Sequence, residues 1–229
     1  MNMKRTAIAA MCCLAMAAML SSCSGKKNSE ENVNDAIEEE VIDLDSPSVA
    51  EQVAQLPEEA VFDIVTNLGT ISVKLYNDTP KHRENFAKLA FSGFYDNILF
   101  HRVINGFMIQ AGDPYTKDDT KVAQYGTGGP GYQIPAEFVS EHKHIKGALA
   151  AARKGDSANP LKESSGSQFY LVQDEAACAQ LDGQYTVFGE TVEGIDVIDK
   201  IAAVETGARD LPVNKVIIKS VTLNEKLSK

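Results

Sequence analysis

Cysteine is scarce in this 229-residue chain: of four, Cys12, Cys13 and Cys23 crowd the N-terminus and only Cys178 lies beyond. A domain built downstream of residue 23 therefore has no internal disulfide and rests on its core alone. Basic clusters are missing too. No dense stripe of lysine and arginine is available to follow a phosphate backbone, which argues against nucleic-acid binding. The apolar run Ala7–Leu20 is too short to span a bilayer comfortably. No internal repeat is present. There is no nucleophile elbow either: Ser167 lies in Ser-Gly-Ser-Gln, without a Ser–His–acid arrangement, so hydrolase chemistry is excluded.

What is present divides into three parts. Lys4 and Arg5 precede the apolar run, as in an export signal. The run ends in Leu20-Ser21-Ser22-Cys23, which resembles the bacterial lipobox, where the cysteine is lipidated after cleavage. That resemblance implies a signal peptide over 1–22 and acylation of Cys23. It places the protein in a bacterial cell envelope, anchored by lipid to a membrane and facing periplasm or cell surface. Each buried acyl methylene contributes about 0.8 kcal/mol to such anchoring. An ordinary signal peptide or a short anchor, with Cys23 incidental, is the alternative.

The net charge of −10 is unevenly placed: residues 26–59 hold eleven acids and two lysines, whereas residues 60–229 hold 21 acids and 18 bases. Residues 23–59 are therefore expected to be an acidic flexible tether, too polar to offset their conformational entropy, with a frayed helical turn near Val49–Leu56. A docking motif for a partner is the other reading of this stretch. The folded domain is expected over 60–229, where a hydrophobic fraction of 44% for the whole chain is enough for one substantial core.

Within that domain, Val61–Thr66 and Thr70–Tyr76 alternate apolar and polar residues around Asn67-Leu68-Gly69, a hairpin pattern. Thr79-Pro80 opens a helix, with Thr79 as N-cap and Phe86, Leu89 and Ala90 on one apolar face. A second helix is expected over Ile195–Ala203, and a β-branched final strand over Lys215–Leu223. Many short apolar runs with glycine-rich joins and two clear helices indicate a closed all-β barrel or sandwich.

The segment Phe100-His101-Arg102-Val103-Ile104-Asn105-Gly106-Phe107-Met108-Ile109-Gln110-Ala111-Gly112-Asp113 sets a guanidinium and an amide among alternating apolar residues. An arginine in such a pattern is costly unless something binds it. Four further segments accompany it: Gly126–Gly131, Gly147–Arg153, Gly166–Tyr170 and Leu181–Gly189. Together, and in this order, they closely resemble the cyclophilin-type peptidyl-prolyl isomerases across about residues 60–225.

The resemblance implies an eight-stranded antiparallel closed barrel capped by two α-helices, and rotation of X-Pro peptide bonds in proline-containing polypeptides. It makes Arg102 the donor to the prolyl nitrogen and Gln110 the holder of the substrate backbone. Phe107, Met108 and Leu181 become the apolar pocket for the proline ring, and Ala152 and Gln168 the neighbouring groove. Tyr170 takes the pocket floor, where the family often has phenylalanine, and its hydroxyl needs a partner if buried. Tyr185 stands where many eukaryotic members have histidine. Gln180 stands where cyclosporin-sensitive members carry tryptophan, and this chain has none, so weak cyclosporin binding is expected. The insertion Lys154–Ser165 lengthens a loop beside the groove. No metal or cofactor is implied, and a monomer is expected.

Plainer readings compete. Arg102 alone reads as a structural arginine paired with Glu137 or Asp113, and His101 as a packed or hydrogen-bonded histidine. His142 and His144, at i and i+2, read in isolation as a metal pair. Two functional classes follow: a membrane-tethered isomerase and folding catalyst for exported proteins, or a proline-peptide binding module whose turnover is incidental. A pure binder does not need a donor under the prolyl nitrogen, which favours the first.

Overall fold

The computed structural model describes residues 42–229. The expected signal peptide, Cys23 and the tether as far as residue 41 lie outside the described residues. From residue 42 onward the acidic stretch is packed rather than free. Helix α1 (Pro47–Ala54) starts with the Ser46 hydroxyl accepting from the Val49 amide, with proline in the first turn. Val49 is buried, and Leu44, Val53 and Leu56 pack against the main core. The frayed turn expected here is thus a docked helix. Its few apolar residues share one face, which composition averaged over the stretch conceals. Past the helix, the backbones of Glu59 and Lys229 exchange two hydrogen bonds.

The strands β1 (Val61–Thr66) and β2 (Thr70–Leu75) form the expected hairpin, closed by the Thr66 amide and hydroxyl donating to the Gly69 carbonyl. Helix α2 (Pro80–Phe91) follows, burying Phe86, Leu89 and Ala90 as its spacing predicts, together with His82 and Ala87. Its N-terminus is capped differently from the expectation. Thr79 occupies the N-cap position, but its hydroxyl donates to the Tyr76 carbonyl and makes no cap bond. The Glu137 carboxylate accepts instead from the amides of Lys81 and His82, at 3.1 and 3.0 Å. A carboxylate at a helix N-terminus also opposes the positive end of the helix dipole, so the distant acid does more than the local hydroxyl.

The remaining strands are β3 (Arg102–Ile104), β4 (Met108–Ala111), β5 (Gln133–Ile134), β6 (Ala148–Ala151), β7 (Ser164–Ser165), β8 (Phe169–Val172), β9 (Val187–Glu193) and β10 (Ile218–Leu223). Helices α3 (Glu175–Cys178) and α4 (Ile195–Ala202) complete the fold. Eight strands form one antiparallel sheet in the order β10-β1-β2-β9-β6-β8-β4-β3, and β5 pairs with β7 separately. The sheet curls without a continuous ladder between its edge strands β3 and β10. The gap is spanned by one isolated bridge, Leu99 with Ile217, flanked by Phe100 N to Val216 O at 2.9 Å and Ile218 N to Ile98 O at 2.8 Å. Eight antiparallel strands agree with the expectation; among the described residues no continuous ladder joins β3 to β10 to close the barrel.

Period-two alternation divides the core. Ile109, Ala111, Leu149, Ala151, Phe169 and Leu171 point inward to the main cluster around Phe86, which meets Phe62 and Phe169 edge-on at 5.8 and 5.6 Å. Met108, Ala148, Ala150, Tyr170 and Val172 point the other way, into a smaller cluster completed by Cys178 and Val187. Strands β6 and β8 are consequently buried on both faces. This second cluster carries the site.

Candidate active site

The site is laid out by strand register. Arg102 pairs with Gln110 across β3 and β4, Gln110 with Tyr170 across β4 and β8, and Tyr170 with Ala150 across β8 and β6. Directly opposed residues in antiparallel strands project to the same face. One row therefore presents a guanidinium, an amide and a phenol side by side. A cavity of about 120 Å³ opens over this row. Arg102 and Gln110 line one side; Met108 and Tyr170 form its base; Phe107, Ala152, Leu181 and Tyr185 contribute the rest. Eight of the nine pocket residues expected from sequence thus share one cavity. The ninth, Gln168, lines the adjoining groove of about 480 Å³, whose walls include Gln110, Ala152 and the loop Gly126–Gly131.

Arg102 is 41% exposed, and its Nε lies 3.5 Å from the Asp210 carboxylate, itself 47% exposed. An exposed single-contact pair of this kind is worth at most about 1 kcal/mol. The carboxylates named as alternative partners are engaged elsewhere. Glu137 caps α2 and bonds His82, while Asp113 is buried and accepts from the amides of Tyr115, Gly126 and Gly128. Asp113 thereby shapes the groove loop. Gly128 must be glycine for that purpose, because a Cβ there would stand 2.2 Å from Asp113 Oδ1.

Gln110 is oriented by its neighbours. Its Nε2 donates to Gln168 Oε1 at 3.0 Å, and Gln168 Nε2 donates to the Gly128 carbonyl at 2.8 Å. One N–H of its amide is thereby committed within the protein, which leaves its carbonyl oxygen as a free acceptor. The Lys154–Ser165 loop borders this groove through both its end residues. It is clasped by Asn159, which exchanges hydrogen bonds with the Glu163 backbone.

Beneath the floor, the Tyr170 hydroxyl finds the partner its burial requires. It lies 2.8 Å from His144 Nε2, while His144 Nδ1 lies 2.8 Å from Asp182 Oδ1. A carboxylate accepts only, so Nδ1 carries the proton and Tyr170 donates to Nε2. Burial pushes the His144 imidazole below its ordinary value and the Tyr170 phenol well above its own, so both are neutral. Burial raises Asp182, and the His144 hydrogen bonds outweigh that to leave it lowered. His142 is separate, stacked on Tyr76 at 3.9 Å and bonded to Asp78. The two histidines therefore do not share a ligand set, and no group of three or more metal-ligating side chains occurs among the described residues. His101 is buried, and burial lowers it as well.

Sequence reasoning gives no place in the cavity to four residues that complete the site, His144 among them, which it reads only as half of a metal pair. Arg153 lines the cavity beside Ala152, its guanidinium 4.4 Å from the centre of the Tyr185 ring and its side chain only 4% exposed. It donates to the Gln184 and Lys154 carbonyls and to Asp156. His144 and Asp182 hold Tyr170, and Asp210 meets Arg102. Their signals are faint: Arg153 and Asp182 stand inside matching segments, but the contacts that engage His144, Asp182 and Asp210 are long-range ones that no local spacing records.

The comparisons agree with this geometry. A family model described as cyclophilin type peptidyl-prolyl cis-trans isomerase/CLD matches residues 61–223. A peptidyl-prolyl cis-trans isomerase of Helicobacter pylori is 40% identical over 151 residues, 64% of this chain and 83% of that protein. A Rhizopus delemar peptidyl-prolyl cis-trans isomerase-like 2 is 38% identical over 167 residues, and there the match spans only 28% of the relative's length. A Cryptosporidium parvum cyclophilin type peptidyl-prolyl cis-trans isomerase, crystallised in the presence of the dipeptide ala-pro, superposes with a TM-score of 0.63 at 30% identity, covering 72% of this chain and 99% of that one. With its strand register, cavity and matched residues in agreement, the chain belongs to the cyclophilin-type peptidyl-prolyl cis-trans isomerase family.

Proposed function

We propose that the protein is a membrane-tethered peptidyl-prolyl isomerase that rotates X-Pro bonds in exported polypeptides. The observation that carries the catalytic part is that Arg102 shares a cavity of about 120 Å³ with the apolar side chains of Phe107, Met108 and Leu181. Amide resonance opposes rotation with a barrier of about 18–20 kcal/mol. In the twisted state the prolyl nitrogen loses that resonance and gains a usable lone pair. A donor aimed at this nitrogen binds the twisted state better than the planar one, which lowers the barrier. Arg102 stays charged, offers several donors in a rigid fork and lines the cavity, with Asp210 recorded 3.5 Å from its Nε.

Met108, Phe107 and Leu181 receive the proline ring, Tyr170 and Tyr185 wall it, and Gln110 accepts from the substrate backbone. Ala152 and Gln168 border the residues next to the proline. One preorganised donor is typically worth about 2.7–4 kcal/mol, or roughly a hundred- to a thousandfold in rate. The apolar walls supply the remainder by excluding water. The deciding measurement is proline-limited peptide isomerisation with Arg102→Ala as control. A drop of about a hundredfold or more in kcat/KM with peptide binding retained supports the enzyme. Equal rates in both proteins support a binding module instead.

The tether reading rests on Leu20-Ser21-Ser22-Cys23 and the charged, apolar order before it. On that reading the protein sits in a bacterial cell envelope, facing periplasm or cell surface. Radiolabelled fatty acid should mark the protein and fail to mark Cys23→Ser; equal labelling of both rejects it. Gln180 in place of tryptophan supports weak cyclosporin binding, and a nanomolar inhibition constant would overturn that.

A further inference from the structure

We propose that the substrate polypeptide runs beyond the proline cavity into a second binding site, the groove between α1 and α2, and seats an apolar side chain there. The inference rests on the isomerase reading above and extends it to substrate choice. The groove encloses about 570 Å³, the largest of the cavities described here. Ala50 and Val53 of α1 face Lys81, Glu84 and Lys88 of α2 across it. Ile134 and Pro135 line it as well.

Shared walls make the three cavities one path. Gln110 and Ala152 line both the proline cavity and the Gln168 groove. Tyr132 and Gln133 line both the Gln168 groove and the α1–α2 groove. Tyr132 is 39% exposed, and its hydroxyl donates to Asn85 Oδ1 at 2.6 Å, which fixes it as the wall between the two. A peptide leaving the proline cavity along Gln168 therefore meets the second groove next. That continuity names the occupant as substrate.

The wall is an addition to the family's domain, since α1 precedes the matched residues 61–223. It is fastened independently of the catalytic row, by Lys88 to Asp45 at 2.6 Å and by Arg83 donating to the Pro57 carbonyl. The chemistry of the lining selects the ligand. Asp45 and Glu84 balance Lys81 and Lys88, so no net charge attracts an ionic group. Leu44, Val53 and Pro135 leave apolar surface for a side chain such as leucine or phenylalanine.

The test uses the full chain and its Ala50→Arg variant. Ala50 is exposed on α1, and arginine has a helix propensity close to that of alanine, so the helix persists while the groove fills. Substrates are a short Ala-Pro peptide and a set of extended peptides with the same Ala-Pro pair, each carrying one leucine moved outward position by position on either side. The readout is the ratio of KM between each extended peptide and the short one. At one or two leucine positions the unaltered chain should show a KM about tenfold lower, and Ala50→Arg should lose that gain. Absence of any favoured leucine position, or a gain that survives in Ala50→Arg, overturns the proposal. Failure of the isomerase reading looks different: the short peptide would be turned over no faster by the chain than by Arg102→Ala.

Discussion

Among the described residues Asp210 is the carboxylate paired with Arg102, and because both side chains are close to half exposed, solvent screens their attraction. Asp210→Asn should therefore change kcat/KM by less than about fivefold, the equivalent of about 1 kcal/mol. A hundredfold loss would mean that the carboxylate positions the guanidinium. Tyr170 presents the opposite balance. Its ring builds the cavity floor, while its hydroxyl serves the buried His144. Tyr170→Phe should keep the ring and most of the isomerase activity, yet leave His144 Nε2 without its donor. The expected cost is about 1–3 kcal/mol in denaturant unfolding. The demand for such a partner is legible in sequence, since a buried tyrosine hydroxyl needs one; its identity is not. His144 and Asp182 are 38 residues apart and meet only after the sheet forms. Arg153 escaped for another reason. A surface cation and a stacked, 4% exposed guanidinium look alike in a linear sequence.

At the level of elements, what was legible followed periodicity. The β1–β2 hairpin, the apolar face of α2 and the helix over Ile195–Ala202 all come from local spacing, and the structure contains each. Features carried by contacts between distant residues did not show. Helix α1 sat within an acidic stretch whose composition reads as solvated, and its packing depends on Val49 meeting a domain that no short window contains. The cap on α2 is a second case, because Glu137 lies 55 residues from His82. Glu137→Ala should cost about 1.5–3 kcal/mol, since charge-assisted bonds to two helix amides and to His82 vanish together. Thr79→Val should cost much less, and the reverse ranking in thermal or denaturant unfolding would reject this assignment of the cap. In the groove loop, Gly128→Ala forces a Cβ against Asp113 Oδ1 and the Tyr115 ring. Overpacking of this kind costs about 1–3 kcal/mol, and peptide KM should rise because the Asp113 bonds to Gly126 and Gly128 shape that wall.

Across the whole molecule, three buried histidines set the response to acid. His82, His101 and His144 each lie below their ordinary value of 6.5, with burial the leading cause in every case. In the unfolded chain they take up protons near 6.5, whereas in the fold they resist until lower pH. Their contribution to stability is therefore complete above that value and is lost progressively as pH falls below it. Denaturant midpoints should hold steady from neutral pH down to about 6.5 and then decline, before ordinary carboxylates titrate at about pH 4. A midpoint that stays flat down to about pH 5 would reject the account. The charge carried by residues 26–59 contributes little to this behaviour, since none of the three histidines belongs to it.

Arg102 also opens β3, the last strand of the sheet order, only three residues long and paired on one side alone. Past that strand, the sheet meets its other margin only through the Leu99–Ile217 bridge and the few backbone hydrogen bonds beside it, from Asn97, Phe100 and Ile218. A short rim segment with so few ties frays at a fraction of the free energy needed to melt the centre. Amide protons of Val103 and Ile104 should consequently exchange with deuterated water well before those of Leu149 or Leu171. Mild heating should thus silence the isomerase while circular dichroism still reports an intact sheet, making catalysis the earliest casualty of stress.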